Sequence, residues 1–191
     1  MLNLNTKKCF VEENGKIEWI MGSFGSKVSM LYPLSVLNGP NASCEFTNIS
    51  FAGKGQNLDT GLKIIHNAPH TTSVVNSKSI SKDGGICTFR SNVHVKKNAE
   101  DSSLALSCES LMLDSISRSD TIPVNTIEND NVTLSHEASI GKISDSAIFY
   151  LMSRGLTEEE AKALIVQGFA EPIAKAFPVE YAVEMNRLIK L

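Results

Sequence analysis

The sequence predicts a mainly β protein with a helical tail: a β domain over residues 1–142 and a small helical domain over 143–191. Three observations predict it. Residues 1–142 are built of short runs in which apolar and polar residues alternate, the period of a strand. The breaks NGPN, AGKGQN, KDGG, KKNAED and ENDN carry the Gly, Asn and Asp that tolerate positive φ in tight turns. From residue 143 the apolar spacing lengthens to three and four residues, the period of a helix.

Taken in order, the runs are KIEWIMG (16–22), KVSMLYPLSVLNG (27–39), SCEFTNISFAG (43–53), LKIIHNA (62–68), TTSVVNSKSIS (71–81), ICTFRSNVHV (86–95), SLALSCESLML (103–113), TIPVNTI (121–127) and NVTLSHEASI (131–140). RSDTIP, between the last cysteine-bearing run and the final ones, reads as a charged turn that closes on proline. Sandwich, barrel and solenoid all accommodate such strands. Small or polar inward positions (Ser, Thr, Ala, Asn) and an aromatic content of 6% favour the narrow stacked interior of a solenoid, although no exact repeat is visible.

In the tail, Ser144 or Asp145 is the N-cap of ISDSAIFYLMSRG, and Gly155 stops it. Thr157 and Glu160 form a capping box, followed by the apolar face Ala161, Leu164, Ile165, Gly168 and Phe169. Pro172 and Pro178 each suit the first turn of a new helix, and Tyr181, Met185 and Leu188 share a face, which makes about four short helices. A bundle this small needs the β domain or a partner to pack against.

Composition narrows the function. A net charge of −3 without a polybasic block argues against nucleic acid as the main partner. No apolar run approaches the ~20 residues of a membrane span, and the N-terminus lacks the apolar core of a signal peptide. Cys9, Cys44, Cys87 and Cys108 are far apart and form no CxxC, so they read as reduced thiols in a cytoplasmic setting. No GxxxxGK[ST], GxGxxG or GxSxG motif supports nucleotide binding or hydrolysis. A carbohydrate-acting enzyme would need clustered acidic residues on one β face, and none is evident.

The candidates for chemistry are few. Cys108 is read either as a small buried hydrophobe or as a thiolate that accepts sulfur or binds metal. His136-Glu137 is not a zincin motif, because Ile140 stands where the second histidine belongs, and strand neighbours face opposite sides. If their runs are adjacent strands, Cys108 and Glu137 are expected to approach one side. His66, His70 and His94 read as surface or internally satisfied histidines.

SRSDTIP (117–123), NVTLSHEASIGKIS (131–144), FYLMSRGLTEEEAKALIVQGFAEP (149–172) and EYAVEMNRLIKL (180–191) resemble SufB-type members of the SufB/SufD family, scaffolds of the SUF iron–sulfur cluster assembly machinery. GSFGSKVSMLYP (22–33), FAGKGQNLDTGLKIIHNAPHTTS (51–73) and SKSISKDGG (77–85) extend the resemblance upstream. It implies a right-handed parallel β-helix followed by a C-terminal helical domain that docks the SufC ATPase, with the paralogue SufD or a second copy meeting the β-helix. It implies no enzyme activity of the chain itself, since ATP hydrolysis belongs to SufC. Its cargo is an iron–sulfur cluster bound transiently during assembly. The motif SCESL carries the family's assembly cysteine, here Cys108, and HEA carries a functional carboxylate, here Glu137, with His136 beside it; Cys108 and Glu137 are the implied metal ligands. SufD-type sequences lack that glutamate. The family's N-terminal portion, with an upstream sulfur-accepting cysteine, is absent, so the chain is expected to be a C-terminal fragment or a short member whose open first turn exposes a strand edge. The alternative is an interaction module of dimer interface and ATPase-docking helices without metal chemistry.

Overall fold

A computed structural model describes residues 1–189. Its strands are β1 (Leu2–Asn5), β2 (Lys8–Val11), β3 (Lys16–Phe24), β4 (Val28–Leu31), β5 (Leu34–Leu37), β6 (Ser43–Ala52), β7 (Asn57–His66), β8 (Thr72–Ser81), β9 (Ile86–Val95), β10 (Ser102–Met112), β11 (Arg118–Ile127) and β12 (Val132–Lys142). Every pairing is parallel and joins strands from successive turns of the chain. The result is a β-solenoid of two facing sheets. Sheet B stacks β3, β6, β8, β10 and β12; sheet A stacks β1 with β2, β4 with β5, then β7, β9 and β11. The solenoid expectation holds, with about five turns of roughly thirty residues each.

The repeat is carried by the corners rather than by the strands. Asn14, Asn41, His70 and Asp101 all adopt positive φ. The backbone N–H groups of Asn41, His70 and Asp101 each donate to a carbonyl of the next turn, on Pro69, Glu100 and Asn131. Asn41 also donates its side-chain amide to Asn14 at 3.1 Å, and Asn67 to Asn38 at 3.2 Å, so the corners stack as amide ladders.

Between the sheets lies a narrow core. Its apolar part includes Leu37, Phe46, Ile64, Val75, Val93, Leu104 and Leu106. Further along the same strands the interior turns polar, with Asn48, Ser50, Thr60, Ser77, Ser79 and Ser110 buried. These groups bond one another along one sheet, as Ser79 with Ser110 at 2.8 Å, and across the lumen, as Ser50 with Thr60 at 3.3 Å, which offsets their desolvation.

Four sequence readings are corrected. RSDTIP is not a turn: Arg118 to Pro123 opens β11, and the reversal lies at 113–117, where the Asp114 carboxylate accepts from the backbone of Asp83, Ile116 and Ser117. Pro123 is tolerated because β11 is an edge strand, where one missing N–H leaves no ladder bond unmade. The run from 27 to 39 is broken at Tyr32–Pro33 into β4 and β5. Among the described residues three helices follow the strands, rather than about four: α1 (Asp145–Met152), α2 (Glu158–Ala174) and α3 (Val179–Leu188). Ser144 caps α1, the Thr157–Glu160 box caps α2, and α2 runs through Pro172 because Ala170 and Ile173 on either side are buried against sheet B.

The helix faces also shift. Ala161, Val166, Ala170 and Ile173 are the buried positions of α2, whereas Leu164 is half exposed. On α3 Met185 is buried and Tyr181 is exposed. Val166, Ala170, Ile173 and Met185 pack on Ile49, Phe51 and Ile80 of the outer face of sheet B, and α1 joins Ile143, Ile148 and Ala161 in a second cluster. Lys190 and Leu191, which end the EYAVEMNRLIKL motif, lie outside the described residues.

Candidate functional site

Strands β10 and β12 are neighbours, as the sequence reading required, but their register separates Cys108 from Glu137. Ser107 pairs with Glu137 and Cys108 with Ala138. Side chains at paired positions of parallel strands share a face, and alternate positions face oppositely. Cys108 therefore points into the lumen, where it is 2% exposed, and Glu137 points outward from the last strand. The expectation that the two approach one side is overturned by a register of one residue. His136 pairs with Leu106, a lumenal residue, and so shares the face of Cys108.

The surroundings differ accordingly. Burial pushes the Cys108 thiol up to about 12, with no hydrogen bond to offset it. Cys44 and Cys87 rise to about 11 and about 12, again chiefly through burial, although Ser35 and the carbonyl of Ile80 partly counter it. As folded, then, these sulfurs are thiols, and each needs a local change to become a nucleophile or ligand. His136 and Glu137 are exposed, because β12 closes sheet B and among the described residues no further turn covers it.

On the outer face, Thr47, Asn76, Ser107 and Glu137 form one row across four strands. Beside it α2 walls a groove of about 460 Å³ lined by Thr47, Asn76, Lys78, Ser107, Glu109 and Pro172. Lys78 pairs with Glu109 at 3.1 Å, and its ammonium lies 4.5 Å from the centre of the Phe169 ring. Lys78 and Glu109 were not singled out from sequence. Glu109 lies inside the SCESL motif, but only the fold shows that it shares the outer face with Glu137.

The remaining histidines behave as the sequence reading held. His66 is fully buried, its ring nitrogens 2.8 Å from Thr71 Oγ1 and 2.9 Å from Ser73 Oγ, and burial lowers it to about 4. His94 pairs with Glu128 at 2.6 Å, which holds that carboxyl below its usual range. His70 belongs to the corner ladder. Among the described residues no three His, Cys, Asp or Glu side chains stand close enough to share a metal ion, and no helix is long and apolar enough to cross a membrane.

Comparison with known proteins bears on this arrangement. Residues 1–169 match the family model described as SUF system FeS cluster assembly, SufBD core domain. Iron–sulfur cluster assembly SufBD family proteins of Staphylococcus haemolyticus, Staphylococcus epidermidis and Staphylococcus saprophyticus are each 53% identical to the chain over 188 residues. The alignment takes in 98% of the chain and 40% of each relative, so the chain spans about two-fifths of their length.

Proposed function

The chain belongs to the SufBD family of iron–sulfur cluster assembly proteins, and from that premise we propose that it acts as a SufB-like scaffold segment on which a nascent cluster is assembled as cargo. Cys108 supplies the thiolate, and Glu137 and His136 supply labile oxygen and nitrogen ligands suited to a cluster that is later handed on. A SufD-like paralogue or a second copy meets the solenoid, and a SufC-like ABC-type ATPase docks on the C-terminal helices. Hydrolysis of ATP belongs to that partner, and the setting is the cytoplasm. Residues 1–142 are the core domain and 143–191 the docking domain.

One observation carries this reading. Cys108 lies in the penultimate strand of sheet B, and His136 and Glu137 lie on the two faces of its last, open strand. A cluster site drawing on both faces has to form at the terminal turn. The free edge of β12 offers unpaired backbone groups to a partner strand there, and the partner supplies the ligands that this chain does not gather alone. The exposed Phe149 and Tyr150 on α1 favour a second partner at the helices.

Anaerobic reconstitution with the ATPase and paralogue tests the reading. Cys108→Ala is expected to abolish most of the iron and sulfide retained by the complex, and a yield equal to the parent defeats the assembly role. The interaction-module reading is favoured by the opposite facing of Cys108 and Glu137. It expects Cys108→Ala to be silent while charge reversal at Glu158–Glu160 or Arg187 weakens ATPase binding.

A further inference from the structure

The lumenal face of sheet B carries a polar row that leads to Cys108. In register across three strands stand Asn48 of β6, Ser77 of β8 and Cys108 of β10. Asn48 donates its side-chain amide to Ser77 Oγ at 3.1 Å and to Thr60 Oγ1, on the facing sheet, at 3.4 Å. Ser77 is 3% exposed, and its hydroxyl oxygen accepts from Asn48, which leaves the hydroxyl hydrogen as its remaining bonding group. Asn48 is 1% exposed, and its Oδ1 is left without any partner. Polar groups buried this deeply are ordinarily satisfied, and a hydroxyl that already accepts one bond keeps its hydrogen to offer to a further acceptor in the row.

We propose that Ser77 holds the sulfur-loaded form of Cys108 by donating its hydroxyl hydrogen to the terminal sulfur, with Asn48 as the residue that positions Ser77. The proposal rests on the sequence reading of Cys108 as a thiolate that accepts sulfur, beside the ligand role proposed above, and names the group that keeps the sulfur there. Adjacent strands lie about 4.8 Å apart, which leaves the bare thiol short of Ser77. A persulfide adds a second sulfur at about 2 Å and spans the gap. Its terminal sulfur is anionic, and the bond it accepts is the stronger for that. The amide of Asn48, by donating to Ser77 Oγ, turns the serine hydrogen along the row toward Cys108. On the far side of Cys108 its register partner is the small Ala138, in the last turn.

Loading with inorganic polysulfide is a balanced transfer. The Cys108 sulfur attacks the terminal sulfur of the polysulfide, one S–S bond of the polysulfide breaks and one forms at Cys108, and the polysulfide leaves one sulfur shorter with the thiol proton. The test loads the full chain in this way and follows sulfur at Cys108, Cys44 and Cys87 separately by peptide mass spectrometry as cyanide strips it. Ser77→Ala is expected to shorten the lifetime of the adduct at Cys108 about tenfold, the ratio for loss of one charge-assisted bond, with Cys44 and Cys87 unchanged. Ser77→Thr keeps the hydroxyl and restores the lifetime, and Asn48→Ser gives an intermediate loss. Equal lifetimes in parent and Ser77→Ala overturn the inference, as does a loss shared by all three cysteines, which reports loosening of the fold. A parent chain that takes up no sulfur at Cys108 refutes the underlying reading of that cysteine instead.

Discussion

The inner turns of the solenoid and its last turn present the same kinds of residue to the lumen and treat them differently. Leu104 of β10 is 3% exposed, whereas its register partner Leu134 of β12 is 40% exposed. Ser110 is buried, and its partner Ile140 is half exposed although it is the more apolar of the two. Burial here is set by whether another turn follows. In a solenoid each turn contacts only its neighbours, so a terminal turn keeps an apolar interior without a lid unless something docks on it. That is why the candidate site has two characters, a shielded thiol in the fourth turn and an exposed imidazole and carboxylate in the fifth.

The largest test of this contrast is in the core. Phe46 is fully buried and stacks at 6.2 Å from Phe89. Phe46→Ala is expected to cost about 3–5 kcal/mol in urea unfolding, while Leu134→Ala costs under about 1 kcal/mol. Comparable losses at the two sites remove the distinction.

Next in size is pH. His66 is neutral in the fold because burial depresses it to about 4, below the ordinary 6.5. The unfolded chain then binds the extra proton first on acidification. Stability attributable to this group is complete above pH 6.5 and is lost as pH falls from 6.5 toward 4, by about 2–4 kcal/mol in all. The His66→Gln variant should show a flatter stability profile across that window in chemical denaturation. An unchanged slope in the variant places the acid sensitivity elsewhere.

A smaller effect separates the helices from both regions. Thr157→Ala removes the α2 cap, in which Thr157 Oγ1 accepts from the Glu160 N–H, together with the bond that hydroxyl donates to the Glu160 carboxylate. It should lower stability by about 1 kcal/mol, measured by thermal unfolding, while association through the terminal turn is untouched. The smallest effect on stability is expected from Leu134→Lys with Ile140→Lys. It should shift the melting temperature by no more than about 2 °C, yet abolish any self-association or pairing with a paralogue seen by sedimentation. Association that survives both lysines moves the interface away from the last turn.

The sequence alone decided a good deal. Alternation over residues 1–142, the change of period at 143, the Ser144 and Thr157 caps and the small polar lumen were all written in residue types, because pleat and helical period act locally. The family resemblance rested on motifs and was matched along residues 1–169. The corner ladder of Asn14, Asn41, His70 and Asp101 was present too, but a histidine among Asn and Asp concealed it.

What the tertiary structure decided was facing and closure. RSDTIP has the composition of a turn, and only the free edge beside β11 makes room for Pro123 in a strand. Pro172 has the look of a helix start, and only sheet B beneath Ala170 and Ile173 keeps α2 continuous. Cys108 and Glu137 occupy faces that depend on whether residue 107 or 108 meets 137. That register is set by turns whose length varies by a residue or two, and one residue reverses every side chain. The exposure of Leu134, His136 and Ile140 depends on a neighbouring turn that no local pattern encodes.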